Sequence, residues 1–407
     1  MRVVTEAMPD ARSVSTGIWV GVGGRDEAPA VAGASHFLEH LLFKGTEERS
    51  ASEIAEAVDA VGGEMNAYTT LEYTAFDTRL PAGHLELGLD LLCDVVTRPA
   101  FRPEDLEAER QVILEELSME EDTPDDRVLG VLADAQFPGH PLGREVLGSR
   151  ETIAAMGGDA IRAFHAEWYR PANLVVACAG AVDHQAVVAG VEGRIGSLRG
   201  GTAPRREPPV APAQPLKVLR RRTEQVHLAV GARALRRDDP DRVALAVANQ
   251  ALGGGLSSRL FQEIRERRGL TYSVYSYATS WSDAGALVVY AATAPTRAAE
   301  VLGLVHAELD RLAAGGITAR ELEVAAGYLE GSTVLGLEDS ASRMARIGKA
   351  LLVDGHVSGI DDLVQRFRAV TIDDVARVVG RVLGSGERTV AVIGSVAKRE
   401  LAVRRVA

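Results

Sequence analysis

Two imidazoles and a carboxylate fall within five residues in the stretch Ser35-His36-Phe37-Leu38-Glu39-His40-Leu41-Leu42-Phe43-Lys44-Gly45-Thr46. On a helix, His36 and His40 stand one turn apart on the same face, with Glu39 beside them. Neutral imidazoles at that spacing bind zinc, and the neighbouring carboxylate is placed to act as a base on water. The order H-x-x-E-H is the inverse of the commoner H-E-x-x-H, with equivalent geometry. Zinc needs a third protein ligand, so a later carboxylate is expected. A histidine pair at helical spacing can also be a surface accident. Here Phe37, Leu38, Leu41, Leu42 and Phe43 make the helix largely buried, and buried imidazoles and carboxylates are costly unless hydrogen-bonded or bound to a metal.

The third ligand is sought on the most acidic predicted helix, residues 104–117, which Pro103 opens and whose first-turn acids suit the positive end of the helix dipole. Glu109 and Glu116 are seven residues apart and share a face near Ile113, whereas Glu107 and Glu115 point to solvent. Glu116 is the expected ligand, with Glu109 one repeat away to orient a ligand or adjust its charge. The plain alternative for such a run is a solvated helix face.

These helices need a framework. Residues 13–22 alternate and are rich in β-formers, and Gly23-Gly24-Arg25-Asp26 ends that strand. The metal helix closes at Gly45, and a second helix over 52–61 ends at Gly62-Gly63. Strands follow over 64–70 and 72–80, up to Pro81. A Thr- and Tyr-rich strand here reads either as a sheet edge that pairs with an extended peptide or as an ordinary strand. Helices are expected over 84–96, 126–136 and 159–168, and a strand over 173–179. His140, in a Pro/Gly turn, reads as structural. Pro204, Pro208, Pro209, Pro212 and Pro215, with Gly200, Gly201 and the Arg205-Arg206 pair, have linker composition. The expected domains are therefore 1–200 and 217–407, joined by 201–216.

At 407 residues and 46% hydrophobic composition, the chain suits two globular domains. A net charge of −12 argues against nucleic acid as a partner and permits a cationic ligand. No apolar run approaches membrane-spanning length, and Met1-Arg2-Val3-Val4-Thr5-Glu6 does not begin as a secretory leader, so a cytoplasmic protein is expected. Cys93 and Cys178 lie far apart in apolar surroundings and are expected to be reduced and structural.

The second half repeats the first. Val14-Ser15-Thr16-Gly17-Ile18-Trp19-Val20 aligns with Val226-His227-Leu228-Ala229-Val230-Gly231-Ala232 at an offset of 212 residues, which places Ala248, Ala251 and Leu252 opposite His36, Glu39 and His40. A later match, Leu106-Glu107 with Leu322-Glu323, gives an offset of 216 and sets Ser332 opposite Glu116. All three ligands are absent from the second copy. Its Gly253-Gly254-Gly255 run lacks the Gly-Lys-Ser/Thr of a phosphate loop and reads as close packing or a mobile loop.

His36-Phe37-Leu38-Glu39-His40 with Phe43-Lys44-Gly45-Thr46, Gly62-Gly63 with Asn66-Ala67, and Glu109-Arg110 with Val112-Ile113-Leu114 and Glu116 resemble the pitrilysin/insulinase metallopeptidases, above all the mitochondrial processing peptidase β-subunit and its short bacterial relatives. Glu116 follows His40 by 76 residues, as in that family. The resemblance spans nearly the whole chain, and it implies two homologous α+β domains, each a mainly antiparallel sheet packed with helices. It also implies a zinc endopeptidase acting on unstructured peptides within a clamshell of four such domains. A two-domain chain would then pair with a second copy or with a homologue. Arg265 and Tyr272 match an arginine and a tyrosine that reach substrate from the non-metal half, and Asn66 and Ala67 match the edge where substrate adds as a strand. By analogy with the processing peptidases, a preference for basic side chains near the scissile bond is expected. The rival reading is a catalytically silent scaffold subunit, like the respiratory-complex core proteins that resemble these peptidases.

Overall fold

In the computed structural model, which describes residues 1–401, strands and helices alternate in two similar series. The first is β1 (Arg2–Ala7), β2 (Ser13–Val20), α1 (Ala34–Leu42), α2 (Ala51–Asp59), β3 (Glu64–Thr69), β4 (Thr74–Pro81), α3 (Leu85–Thr97), α4 (Pro103–Asp122), α5 (Pro124–Gln136), α6 (Arg150–Ala155), α7 (Gly158–Trp168), β5 (Leu174–Gly180) and α8 (His184–Ile195). The second runs β6 (Leu216–Arg220), β7 (Val226–Ala234), α9 (Arg242–Gly253), a π-helical turn (Phe261–Glu266), β8 (Thr271–Ser280), β9 (Gly285–Thr293), α10 (Ala298–Gly315), α11 (Ala319–Gly336), α12 (Ser340–Val353), α13 (Ile360–Arg368), α14 (Ile372–Leu383) and β10 (Thr389–Gly394). The sheets are ordered β1-β5-β2-β4-β3 and β6-β10-β7-β9-β8. Each is antiparallel apart from one parallel outer pair, β1 with β5 and β6 with β10. The fold is α+β, and the repeated strand order is the structural form of the sequence repeat.

Period-two alternation decides what each face of the first sheet meets. Ile18 pairs with Phe76 and Val176, and these residues share one buried cluster with Phe37, Leu38, Leu89 and Leu92. Trp19, one residue on, points the other way and packs with Ala75, Val175, Ala177 and Ala179 against Met344 and Ile347 of α12. The strand is buried on both sides, and its second half, Gly17-Ile18-Trp19-Val20, is apolar without a gap. Small residues bed the indole: a Cβ on Gly17 would come within 2.5 Å of the Trp19 ring, and one on Gly348 within 2.4 Å. Ser340 opens α12 by bonding the hydroxyls of Ser13 at 2.8 Å and Ser15 at 2.9 Å.

The compact units are accordingly not the contiguous halves. One comprises Met1–Ser118, Glu145–Arg206 and Leu335–Ser358, and the other Met119–Arg144, Glu207–Val334 and Gly359–Ala407. The second sheet receives α5 in the way the first receives α12, with α5 lying against β7 and β10. Ser340 follows Pro124 by 216 residues, so two equivalent helices of the repeat have changed places. The Pro-rich segment is also less free than its composition suggests. Arg206 donates to both carboxylate oxygens of buried Asp26 at 2.8 Å and to the Glu72 carbonyl at 2.6 Å. His140 is structural, as expected: its Nδ1 accepts from the Leu142 N–H at 3.1 Å, and its Nε2 donates to the Glu207 carbonyl at 2.9 Å.

One polar residue works against this sheet. Asp77 stands between Gly17 and Asn66 across β2 and β3, and burial, helped by the charge of Glu64, pushes its carboxyl up to about 6. Because the folded pKa lies above the unfolded one, the cost of ionising Asp77 is absent below about pH 4 and complete above about pH 6. Asp77→Asn should therefore raise the urea midpoint at pH 7.5 and leave it unchanged near pH 3.5. The gain expected is about 1–2 kcal/mol, after discounting for residual solvent screening. An equal shift at both pH values would refute the electrostatic origin.

Candidate metal centre

Gly33 has no side chain to cap α1, and the buried Glu27 carboxylate supplies the acceptor, taking the N–H of Gly33 at 2.6 Å and of Ser35 at 2.7 Å. Phe37, Leu38, Leu41 and Leu42 turn into the core. That rotation leaves His36, Glu39 and His40 half-buried at its margin. On α4 the buried line Leu106, Glu109, Ile113 and Leu117 seats the helix, so that Glu116 projects beside the imidazoles. Glu107 and Glu115 are exposed, as the helical periodicity predicted.

Glu116 Oε2 lies 3.7 Å from His36 Nε2 and 3.5 Å from His40 Nε2. One potential ligand atom from each of the three residues lies within 4.8 Å of the others, and among the described residues they are the one such cluster. His40 Nδ1 is 2.9 Å from Glu109 Oε2. Donating its Nδ1 proton there leaves the Nε2 lone pair facing Glu116. Glu109 is 4% exposed, and Lys44 Nζ reaches its other oxygen at 2.6 Å. Burial, and secondarily the charge of His40, lowers the His36 pKa to about 4, so its imidazole is neutral near pH 7. Burial raises the carboxyl pKa of Glu39, opposed chiefly by the Thr69 hydroxyl, which donates to Oε2 at 2.6 Å.

The donor set fits zinc. Bonds of about 2 Å in a tetrahedron separate donor atoms by about 3.3 Å, close to the 3.5 and 3.7 Å found here. Two neutral imidazoles with one carboxylate form a usual zinc set that leaves a fourth position open.

The other residues singled out in the sequence lie as follows. Asn66 and Ala67 are on β3, the edge strand of the first sheet, whose residues alternate between exposed and half-buried. Arg265 sits in the π-helical turn, with its guanidinium 4.7 Å from the Phe261 ring centre and 4.5 Å from that of Tyr272. Tyr272 is 80% exposed. Both belong to the second compact unit, whereas His36, Glu39, His40 and Glu116 belong to the first. Ala248, Ala251 and Leu252 are buried packing residues of α9, and Ser332 is exposed on α11. Gly253 is explained by close packing, since a Cβ there would meet Ser276 Oγ at 2.6 Å. Sequence reasoning missed Glu27, Thr69 and Lys44. Lys44 alone carried a signal, standing four residues beyond His40 within the same motif.

The profile of the insulinase family, peptidase family M16, matches residues 2–150, and that of the peptidase M16 inactive domain matches residues 156–328. An uncharacterized zinc protease of Streptomyces coelicolor is 47% identical over 94% of this chain and 85% of its own length. One from Mycobacterium tuberculosis strain H37Rv is 46% identical over 97% and 91%, and YmxG of Bacillus subtilis, also named an uncharacterized zinc protease, is 38% identical over 92% and 91%. The crystal structure of a peptidase M16 inactive domain from Pseudomonas fluorescens superposes with a TM-score of 0.90 at 22% identity, covering 96% of this chain and 95% of that one. A protease from Helicobacter pylori gives 0.87 at 23%, covering 96% of each. No described helix is long and apolar enough to cross a membrane. With both family profiles matched in order and the inverted motif on α1, the chain belongs to peptidase family M16, the insulinase family.

Proposed function

We propose that this protein is a zinc-dependent endopeptidase that cleaves unstructured peptides, with His36, His40 and Glu116 as the metal ligands and Glu39 as the general base. The observation that carries the reading is the convergence of the three ligand atoms beside a carboxylate already held by Thr69. When bound, zinc supplies Lewis-acid polarisation of the peptide carbonyl and an acidified water. Glu39 takes the proton from the attacking water and returns it to the leaving amine. Thr69 engages Oε2, which leaves Oε1 for that transfer. Glu109 keeps His40 turned so that Nε2 serves as the ligand. The free edge of β3 supports addition of substrate as a strand along Asn66 and Ala67.

The finer parts of the proposal rest on the family. Arg265 and Tyr272 of a second copy would complete the site within a closed chamber and stabilise negative charge on the carbonyl oxygen. Acidic α4 and the net charge of −12 favour basic side chains near the scissile bond. The purified protein should hold about one zinc per chain and cleave a quenched, unstructured basic peptide. Glu116→Gln should lose both the metal and the cleavage. Absence of zinc from the wild type would sink the reading in favour of a silent scaffold. A peptide panel with no gain from Arg or Lys at any subsite would reject the basic preference, and a monomer in sedimentation would reject the homodimer.

A further inference from the structure

We infer that Lys44 is a positioning residue for the metal, acting through Glu109 on the imidazole of His40. The inference rests on the zinc reading above and extends it to a residue that touches no ligand. Lys44 lies beyond the end of α1, where its N–H donates to the Leu41 carbonyl at 3.1 Å. Arg102, just before α4, fixes the same stretch by donating to the Lys44 carbonyl at 3.3 Å and the Thr46 carbonyl at 3.0 Å. That approach depends on Gly45, whose φ is +119° and whose added Cβ would fall 2.6 Å from the Arg49 carbonyl oxygen and 2.9 Å from Arg102 Nη1. The backbone is thus set so that Lys44 Nζ meets Glu109 Oε1 at 2.6 Å, while Oε2 of the same carboxylate holds His40 Nδ1 at 2.9 Å.

With each oxygen engaged, the Glu109 carboxylate has one orientation, and that orientation aims the His40 lone pair at Glu116. Without Lys44, a carboxylate whose side chain is 5% exposed loses its cation and is free to rotate away from the imidazole. The Lys44 side chain is 39% exposed, so its replacement removes the ion pair without opening a cavity.

The test is zinc affinity, read by titrating zinc sulfate into the metal-free full-length protein in competition with a chromogenic chelator. Lys44→Met should raise the zinc dissociation constant about tenfold, the lower end of what partners of metal ligands contribute, with the metal-free protein still folded by far-UV circular dichroism. Lys44→Arg, which keeps the charge, should stay within about threefold of wild type. Lys44→Gln gives the same comparison should the methionine variant fail to fold. Wild-type affinity in Lys44→Met overturns the inference and leaves the zinc reading standing, as does an equal loss in the Met and Arg variants. A wild type that takes up no zinc overturns both.

Discussion

Glu39→Gln should retain a full complement of zinc and lose peptide cleavage by about 10²- to 10⁴-fold in kcat, the range that a positioned general base supplies. The metal is retained because Glu39 is outside the group whose ligand atoms converge, which is His36, His40 and Glu116. Local structure is retained because the Thr69 hydroxyl, which donates to Glu39 Oε2 at 2.6 Å, can donate equally to the amide oxygen of glutamine. What disappears is the capacity to take up and return a proton. The loss should therefore fall on kcat with KM little altered, since glutamine fills the same volume. Metal analysis of the protein used for the kinetics separates this outcome from loss of the site. Activity within tenfold of wild type in a zinc-loaded variant would place the base elsewhere.

Trp19→Ala should destabilise the first compact unit by about 3–5 kcal/mol, as expected for deleting a buried indole. Trp19 is 1% exposed and is the largest side chain between the first sheet and α12. Gly17 and Gly348, which bed the ring, have no side chains to fill the vacated space. Chemical unfolding followed by far-UV circular dichroism should show an early transition from this unit, because the two units have separate cores and one stability need not describe both. Coincident wild-type and variant curves would show that α12 contributes little to holding the sheet.

The parts of this molecule legible in its sequence are those encoded by short-range periodicity. His36, Glu39 and His40 belong to one helical turn, and the seven-residue spacing of Glu109 and Glu116 fixes a common face wherever the helix lies. The repeat was legible because a strand-like run opening at Val14 and at Val226 closes in both halves on the same pair, Arg25-Asp26 and Arg237-Asp238, at one offset. What escaped depends on distant partners. Thr69 stands 30 residues from Glu39, and nothing in its own neighbourhood distinguishes its hydroxyl from those of Thr70 or Thr74. The short β1 finds its place only by pairing in parallel with β5, far along the chain. Arg206 looks like linker until the buried Asp26 and Glu72 that receive it are seen. The helix exchange is the extreme case: α5 and α12 are ordinary amphipathic segments, and no local pattern says which sheet each will cover.

That exchange also sets an order of events during synthesis. The first sheet has all its strands once Gly180 has emerged, but the helix that covers its Trp19 face ends at Val353. At ordinary elongation speeds the wait is on the order of ten to thirty seconds. Throughout it, Trp19, Ala75, Val175, Ala177 and Ala179 form an apolar surface with no covering helix, alongside the unpaired edge of β3. A chain held between these points shows that apolar face and that strand edge together, the combination that favours aggregation.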